Sequence, residues 1–502
     1  MHLPQLLALA LLTTPLAAQV VTPPPPGHAR LWPTHTPEAG YLPGSEVAYV
    51  VVSNPAPTFG ARFGHDVTLL DFDGDGHQDL AVGAPGEPGA GQPGRVDVFR
   101  GPGLDLAWTL VPTGSQVEDS FGYAMAAGDL DGDGADELAV GSPRWDAGAA
   151  TANCGRLVVF GFRERTGPVQ LAELRRGSEF PGALLGRDVE LADVIGDGKL
   201  DVAGGAPFAL VQPSSFRAGA VSLFEQPAGG PAAGPWVETS WPNPQPSSNH
   251  GEFGNRLAAV DFDGDGATDL AVAAIFNAVN PADPCVLPCV ENAGQTYVVA
   301  HQQSGALPSV LARLDNPFPG VEIQTTQCIS ERFGMHLVAG DLDQDGFGEV
   351  FVGANRDDVG GVCEAGRGSL FSGALLAGSV SGPHPAVSFT RPTPRVEDLA
   401  AYRVHLADLV GGTNLDVCVF SLSKLREHVI LVWDGDDPLT FAPGAPDAGP
   451  PDLTIPALPG HGGHFCGGLT SGDLDGSGGG GVELVMGDYD FGPAGLPALT
   501  RS

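Results

Sequence analysis

The chain has 502 residues, 42% of them hydrophobic, so it can bury a large core, and its 73 glycines and 46 prolines suit many short strands separated by turns. Sixty acidic against 24 basic side chains give a formal net charge of −36, which argues against nucleic acid and anionic membrane surfaces as partners.

The first 18 residues read as a secretory signal, with Leu6 to Leu12 as the apolar run and cleavage after Ala18. Its amino end carries only His2 and no lysine or arginine. No later run is long enough to span a bilayer, so a secreted, extracellular or periplasmic protein is expected, with no membrane span. Residues 19–42 form a proline-rich arm. Val47 to Val52 is then a clear strand with no partner nearby in sequence.

From Phe63 a unit begins and recurs. It reads Phe63-Gly64, a strand, an acidic loop, the strand running into Gly83-Ala84-Pro85, and two further strands at Val96 to Phe99 and Trp108 to Val111. Comparable openings fall at Phe121, Leu185, Phe253, Phe333, Tyr402 and Phe465. The spacings run from 58 residues (63 to 121) to 80 (253 to 333). A four-stranded unit cannot bury both faces of its sheet alone, so such units stack around an axis. The expected fold is all-β, a seven-bladed β-propeller over residues 43–502. The seventh copy ends soon after its second strand, so Val47 to Val52 is expected to pair into that last blade and close the ring. Leu496 to Thr500 or Leu31-Trp32 would supply its third strand.

The acidic loop carries the chemistry. Asp71, Asp73, Asp75 and Asp79 hold positions 1, 3, 5 and 9, with Gly76 at position 6 where the chain must turn tightly. The side chains of positions 1, 3, 5 and 9 and the backbone carbonyl of position 7, here His77, form an oxygen cage for calcium. The set returns as Asp129, Asp131, Asp133 and Glu137 with the Ala135 carbonyl, and as Asp261, Asp263, Asp265 and Asp269 with that of Ala267. It returns again as Asp341, Asp343, Asp345 and Glu349 with that of Phe347. An EF-hand would need glutamate at position 12, where this chain has Val82, Val140, Val272 and Val352 in strand-like runs. The loop therefore joins strands. About four calcium ions are expected.

Phe-Gly, the D-x-D-x-D-G-x-x-D loop and Gly-Ala-Pro together resemble the FG-GAP repeats of the integrin α-subunit head. The resemblance implies a propeller with calcium between the first two strands of certain blades, and ligand binding through loops on the opposite face. Three copies depart from it. The third has Asp193, Asp197 and Asp201 but Ile195 at position 3, and the sixth keeps only Asp408 and Asp416. The seventh has Asp473, Asp475 and Ser477, then extra glycines before Glu483. No calcium is expected in the sixth, and weak sites are possible in the third and seventh.

Other chemistry is thinly signalled. His461 and His464 flank two glycines without a carboxylate partner and read as a turn. His336 and His405 are taken as equivalent repeat positions facing a loop. Of seven cysteines, Cys285 with Cys289 and Cys328 with Cys363 are possible pairs, and Cys418 and Cys466 read as buried thiols. No catalytic motif occurs. The expected function is a calcium-stabilised extracellular binding or adhesion scaffold for a protein or glycan ligand. A lectin-like propeller is the second reading. A propeller hydrolase or lyase is the third, to be promoted by a convergent cluster of acid, base and aromatic residues.

Overall fold

The computed structural model describes residues 8–13, 38–41 and most of 48–488. Its longer undescribed segments are 211–216, 246–250, 278–293, 302–305, 318–331, 377–386, 410–412, 423–427, 437–447, 457–464 and 475–482.

Among the described residues six four-stranded antiparallel sheets follow one another, each with its strands in chain order. The first is Val67–Leu70, Asp79–Ala84, Arg95–Arg100 and Asp105–Leu110. The second runs from Met125–Gly128 to Gly167–Leu174, the third from Val189–Ala192 to Val237–Pro242, and the fourth from Phe253–Val260 to Val310–Asp315. The fifth runs from Phe333–Gly340 to Val387–Phe389 and the sixth from Arg403–Ala407 to Leu453–Pro456. The second strand of each blade is buried at every residue, as in Asp79–Ala84, because it lies between two strands and between two blades. That is why these segments read as unbroken apolar runs and not as alternation.

The expectation of seven four-stranded blades is corrected to six. The remaining sheet has five strands, in the order Glu38–Tyr41, Ala48–Ser53, Ala8–Thr13, Glu483–Asp488 and Phe465–Gly472. Ala48–Ser53 does join the sheet of the C-terminal repeat, but through Ala8–Thr13, which pairs parallel with it and with Glu483–Asp488. The expected third strands, Leu31-Trp32 and Leu496 to Thr500, lie outside the described residues. Ala8–Thr13 falls inside the expected signal peptide. An apolar run of that length has the composition of a buried strand as well as of a leader, and periodicity does not separate the two.

The core lies between consecutive sheets. Phe72, Val96 and Val98 of the first blade pack with Phe121, Val140 and Val158 of the second. Val52, Leu474 and Val485 of the five-stranded sheet pack with Phe63, Leu80 and Phe99 of the first blade, which completes the ring. The repeat's opening pair has a mechanical reason. Four opening phenylalanines are buried edge-on against the third-strand aromatic of their own blade: Phe63 on Phe99, Phe121 on Phe160, Phe253 on Tyr297 and Phe333 on Phe371, at 5.8 to 6.1 Å. Such pairs add about 0.5–1.5 kcal/mol each beyond their burial. The glycine that follows brings the backbone against the previous blade. A Cβ at Gly83 would lie 2.2 Å from the Gly122 carbonyl oxygen, so Gly83→Ala would force two blades apart. The same contact places the opening of the sixth unit at Ala400-Ala401, since Gly353 approaches the Ala401 carbonyl and Gly366 bridges Ala400. Tyr402 is the next residue.

Candidate functional site

In each blade the acidic loop follows the first strand. Its shape comes from two carboxyls. That of position 1 accepts backbone N–H bonds from positions 5 and 6, as Asp71 does from Asp75 (3.0 Å) and Gly76 (2.9 Å). That of position 9 is buried and accepts the N–H of position 2: Asp79 from Phe72, Glu137 from Leu130, Asp269 from Phe262 and Glu349 from Leu342. Gly76 has open space around it but φ +86, so the left-handed turn demands glycine there and crowding does not. At position 4 of the fifth repeat Gln344 adopts φ 58 without being glycine.

Three carboxylates converge in each of the four complete loops, with one oxygen from each within 4.8 Å of the others. In the first and fourth repeats they are positions 1, 3 and 5, namely Asp71, Asp73 and Asp75, and Asp261, Asp263 and Asp265. In the second and fifth they are positions 1, 3 and 9, namely Asp129, Asp131 and Glu137, and Asp341, Asp343 and Glu349. Position 9 is aspartate where it stays out of the group and glutamate where it joins, so the extra methylene carries the carboxylate inward. Asp79, Asp269, Asp133 and Asp345 thus stand outside the groupings that the sequence placed them in. For His77, Ala135, Ala267 and Phe347 the N–H donates to the position-5 carboxylate at 2.9 to 3.0 Å.

Like charges at this range favour a cation. Burial, then neighbouring carboxylates and hydrogen bonds in varying order, sets the position-9 groups: Asp79 and Glu137 are pushed up to about 7, Asp269 to about 6 and Glu349 to about 8. Side-chain cations offset part of the charge. Arg100 meets Asp73 at 2.5 Å, and Arg163 lies 3.9 Å from Asp131. Oxygen-only groups of this kind suit calcium or another hard divalent ion.

The departing repeats separate loop-building from ion-holding. In the third, Asp193 and Asp201 make the same backbone bonds, to Asp197, Gly198 and Ile195, yet no three-carboxylate group forms among the described residues. In the sixth, Asp416 accepts the Leu409 and Gly435 amides, and in the seventh Glu483 accepts that of Leu474. His461 and His464 lie outside the described residues, as do Cys285, Cys289 and Cys328. Cys363 is disulfide-bonded, Cys418 is a buried free thiol, and Cys154 is buried with its thiol donating to the Trp145 carbonyl at 3.5 Å.

A second feature escaped the sequence reading. On the propeller axis, towards the ends of the first strands away from the acidic loops, a cavity of about 400 Å³ is lined by one register position of successive blades. Counted as the third residue after each opening, that position holds Asp66, Ala124, Asp188, Arg256, His336 and Arg403. Two residues on, Glu190 and His405 face the same space. His336 and His405 are therefore neither equivalent nor directed at a loop: Arg403 is the counterpart of His336, as its pairing opposite Phe420, where His336 stands opposite Gly353, confirms. Aligning the copies on their openings is the signal that would have found this set. It was hidden because the sixth opening carries neither Phe nor Gly.

The comparisons agree with the loops. The FG-GAP repeat model matches residues 63–99, 121–153, 253–282 and 333–371, the four copies with complete loops. The chain carries FG-GAP repeats. Integrin alpha-PS2 of Drosophila melanogaster is 32% identical over 42% of this chain and 15% of its own length, and human integrin alpha-IIb 30% identical over 47% and 20%. The phosphatidylinositol-glycan-specific phospholipase D of Mus musculus is 34% identical over 32% of this chain and 20% of its own. The matched stretches thus span a fifth or less of these curated relatives. A solved exotype rhamnogalacturonan lyase, YesX, aligns over 70% of this chain and 56% of its own at 13% identity, with a TM-score of 0.36. The chain is an integrin-α-like FG-GAP protein with an all-β propeller of four-stranded blades. No helix among the described residues is long and apolar enough to cross a membrane.

Proposed function

We propose that this FG-GAP propeller is a secreted, calcium-stabilised scaffold that binds an extracellular protein or glycan through the face opposite its acidic loops. The observation that carries the reading is the recurrence of three converging carboxylates at one place in four blades. Asp71, Asp73 and Asp75 would hold one ion, Asp129, Asp131 and Glu137 a second, Asp261, Asp263 and Asp265 a third, and Asp341, Asp343 and Glu349 a fourth. The ion supplies charge neutralisation: an empty pair of carboxylates repels by about 1–4 kcal/mol at close range. The integrin relatives support an adhesion-type role, and the phospholipase D relative keeps an enzyme in view. Export through the leader at residues 1–18 belongs to the same proposal. Cleavage after Ala18 would remove Ala8–Thr13, and Ala48–Ser53 would then pair with Glu483–Asp488 directly. The test is metal analysis of protein stripped with chelator and dialysed against calcium. About four ions per chain are expected, and fewer than about three would defeat the reading.

A further inference from the structure

The axial cavity holds charges that the fold does not use. Most of its polar groups have structural work. Asp66 accepts the Met125 amide at 2.8 Å, Asp188 accepts that of Leu257 at 2.8 Å, and His336 Nδ1 accepts that of Val404 at 3.3 Å. Each bond joins one blade's first strand to a later one. His405 meets the Ser471 hydroxyl at 2.7 Å, and Arg256 lies 3.7 Å from Asp188.

Arg403 and Glu190 are different. Neither makes an ion pair with any described residue, and the Nε of Arg403 is buried without a hydrogen-bond partner. The charge of Arg403 nonetheless acts on His65, Asp66, Arg187, Asp188, Arg256 and His336, which puts it amid the ring. A buried guanidinium N–H without an acceptor costs free energy that a bound anion would recover.

The local charge points the same way. Burial pushes the carboxyl of Asp66 up to about 7 and that of Glu190 up to about 8, the latter aided by Asp188. Burial also lowers the imidazoles of His65, His336 and His405, so they stand neutral. At neutral pH Arg187, Arg256 and Arg403 therefore outweigh the ionised carboxylates in the interior of a molecule of net charge −36. A protonated Glu190 offers both an O–H donor and a carbonyl acceptor, the pairing a hydroxyl group needs.

We infer that the axial cavity binds a small hydroxylated carboxylate, with Arg403 taking the carboxylate and Glu190 a hydroxyl. Its volume of about 400 Å³ lies in the ordinary range for small-molecule sites, about 300–1,000 Å³. The site is independent of the acidic loops, so it stands or falls apart from the calcium reading.

The test is calorimetric titration of the full chain, saturated with calcium, with three probes: gluconate (carboxylate and hydroxyls), glucitol (hydroxyls only) and acetate (carboxylate only). Gluconate is expected to bind one to one at about pH 6 with millimolar affinity or better, and about tenfold more weakly at about pH 9 as Asp66 and Glu190 ionise. Glucitol and acetate should bind at least tenfold more weakly. Arg403→Gln should abolish gluconate binding while leaving the melting temperature of the ligand-free protein unchanged or raised. The inference is overturned by absence of gluconate binding up to about 10 mM, or by binding that persists in Arg403→Gln. A lower ligand-free melting temperature in Arg403→Gln would also overturn it, since the arginine would then be a structural counter-ion.

Discussion

The acidic loops and the axial cavity are built at opposite ends of the same strand, the first of each blade, and they use the repeat in opposite ways. In the loops the repeat copies its residues, and four blades present nearly the same carboxylates to four separate points on the ring. On the axis the repeat keeps the position and varies the residue, so Asp66, Asp188, Arg256, His336 and Arg403 meet in one space. Copying yields independent, equivalent sites. Variation at a shared axis yields a single site with polarity, because only the centre of a ring is seen by every blade. One consequence is that damage to a loop stays local, whereas damage at the axis alters its partners in several blades.

The sharpest way to test the division within the loops is at position 9, where one carboxyl both builds the turn and, as glutamate, joins the ion group. Asp416 of the sixth repeat isolates the first task. It is buried and accepts the Leu409 amide at 2.6 Å and the Gly435 amide at 3.0 Å. Asp416→Ala leaves both donors without a partner in the interior, at a cost of about 3–5 kcal/mol. The loss in denaturant-unfolding free energy should be equal in calcium and in chelator. A loss confined to calcium would mean that this carboxyl serves an ion even in a degenerate repeat.

This division also marks what could be read from the residues alone. Phe-Gly, the acidic loop and Gly-Ala-Pro lie close together in the chain, and each reports a local demand: an edge-on aromatic, a left-handed turn, a close approach of backbones. Blades and loops were legible for that reason. The choice between position 5 and position 9 was not, because it turns on one methylene. Nor was the use of Ala8–Thr13, since a leader and a buried strand share a composition. The axis was illegible for a further reason: Arg403 and Glu190 sit far apart in sequence and acquire meaning only when the ring brings them together.

Glu190 offers the next test, from the axial side of the comparison. Its carboxyl, faced by Asp188 and sharing the cavity with Asp66, Arg256, Arg403, His336 and His405, is pushed up to about 8 by burial. The folded chain then binds a proton more tightly than the unfolded chain, so stability declines as pH rises from the ordinary glutamate range to about 8. Glu190→Gln removes this contribution and should flatten the decline by about 2–3 kcal/mol. Measuring unfolding free energies in saturating calcium keeps the loop carboxylates out of the difference. Parallel pH profiles for the two proteins would show Glu190 to be well solvated and the cavity to be ordinary solvent.

The smallest expected effect separates an ion ligand from a loop builder. The amide bonds that shape the turn around Asp131 go to Asp129 and Glu137, and Asp131 shares only that of Asp133. It stands beside Asp129 and Glu137 in the ion group, with Arg163 only 3.9 Å away. Without calcium, Asp131→Ala removes a weak exposed attraction and some like-charge repulsion, and the two largely cancel. With calcium it removes a ligand, and with it the linkage stabilisation of about 1.4 kcal/mol that one site gives at tenfold saturation. Asp408→Ala is the matched control. Asp408 holds position 1 of a repeat that has Val410 and Gly412 where the ligands at positions 3 and 5 would be. With two of the four ligands missing no ion is expected there, so the substitution removes none and should leave the calcium dependence of melting as it was. A calcium-dependent loss at Asp408, or equal losses with and without calcium at Asp131, would erase the distinction between complete and degenerate repeats.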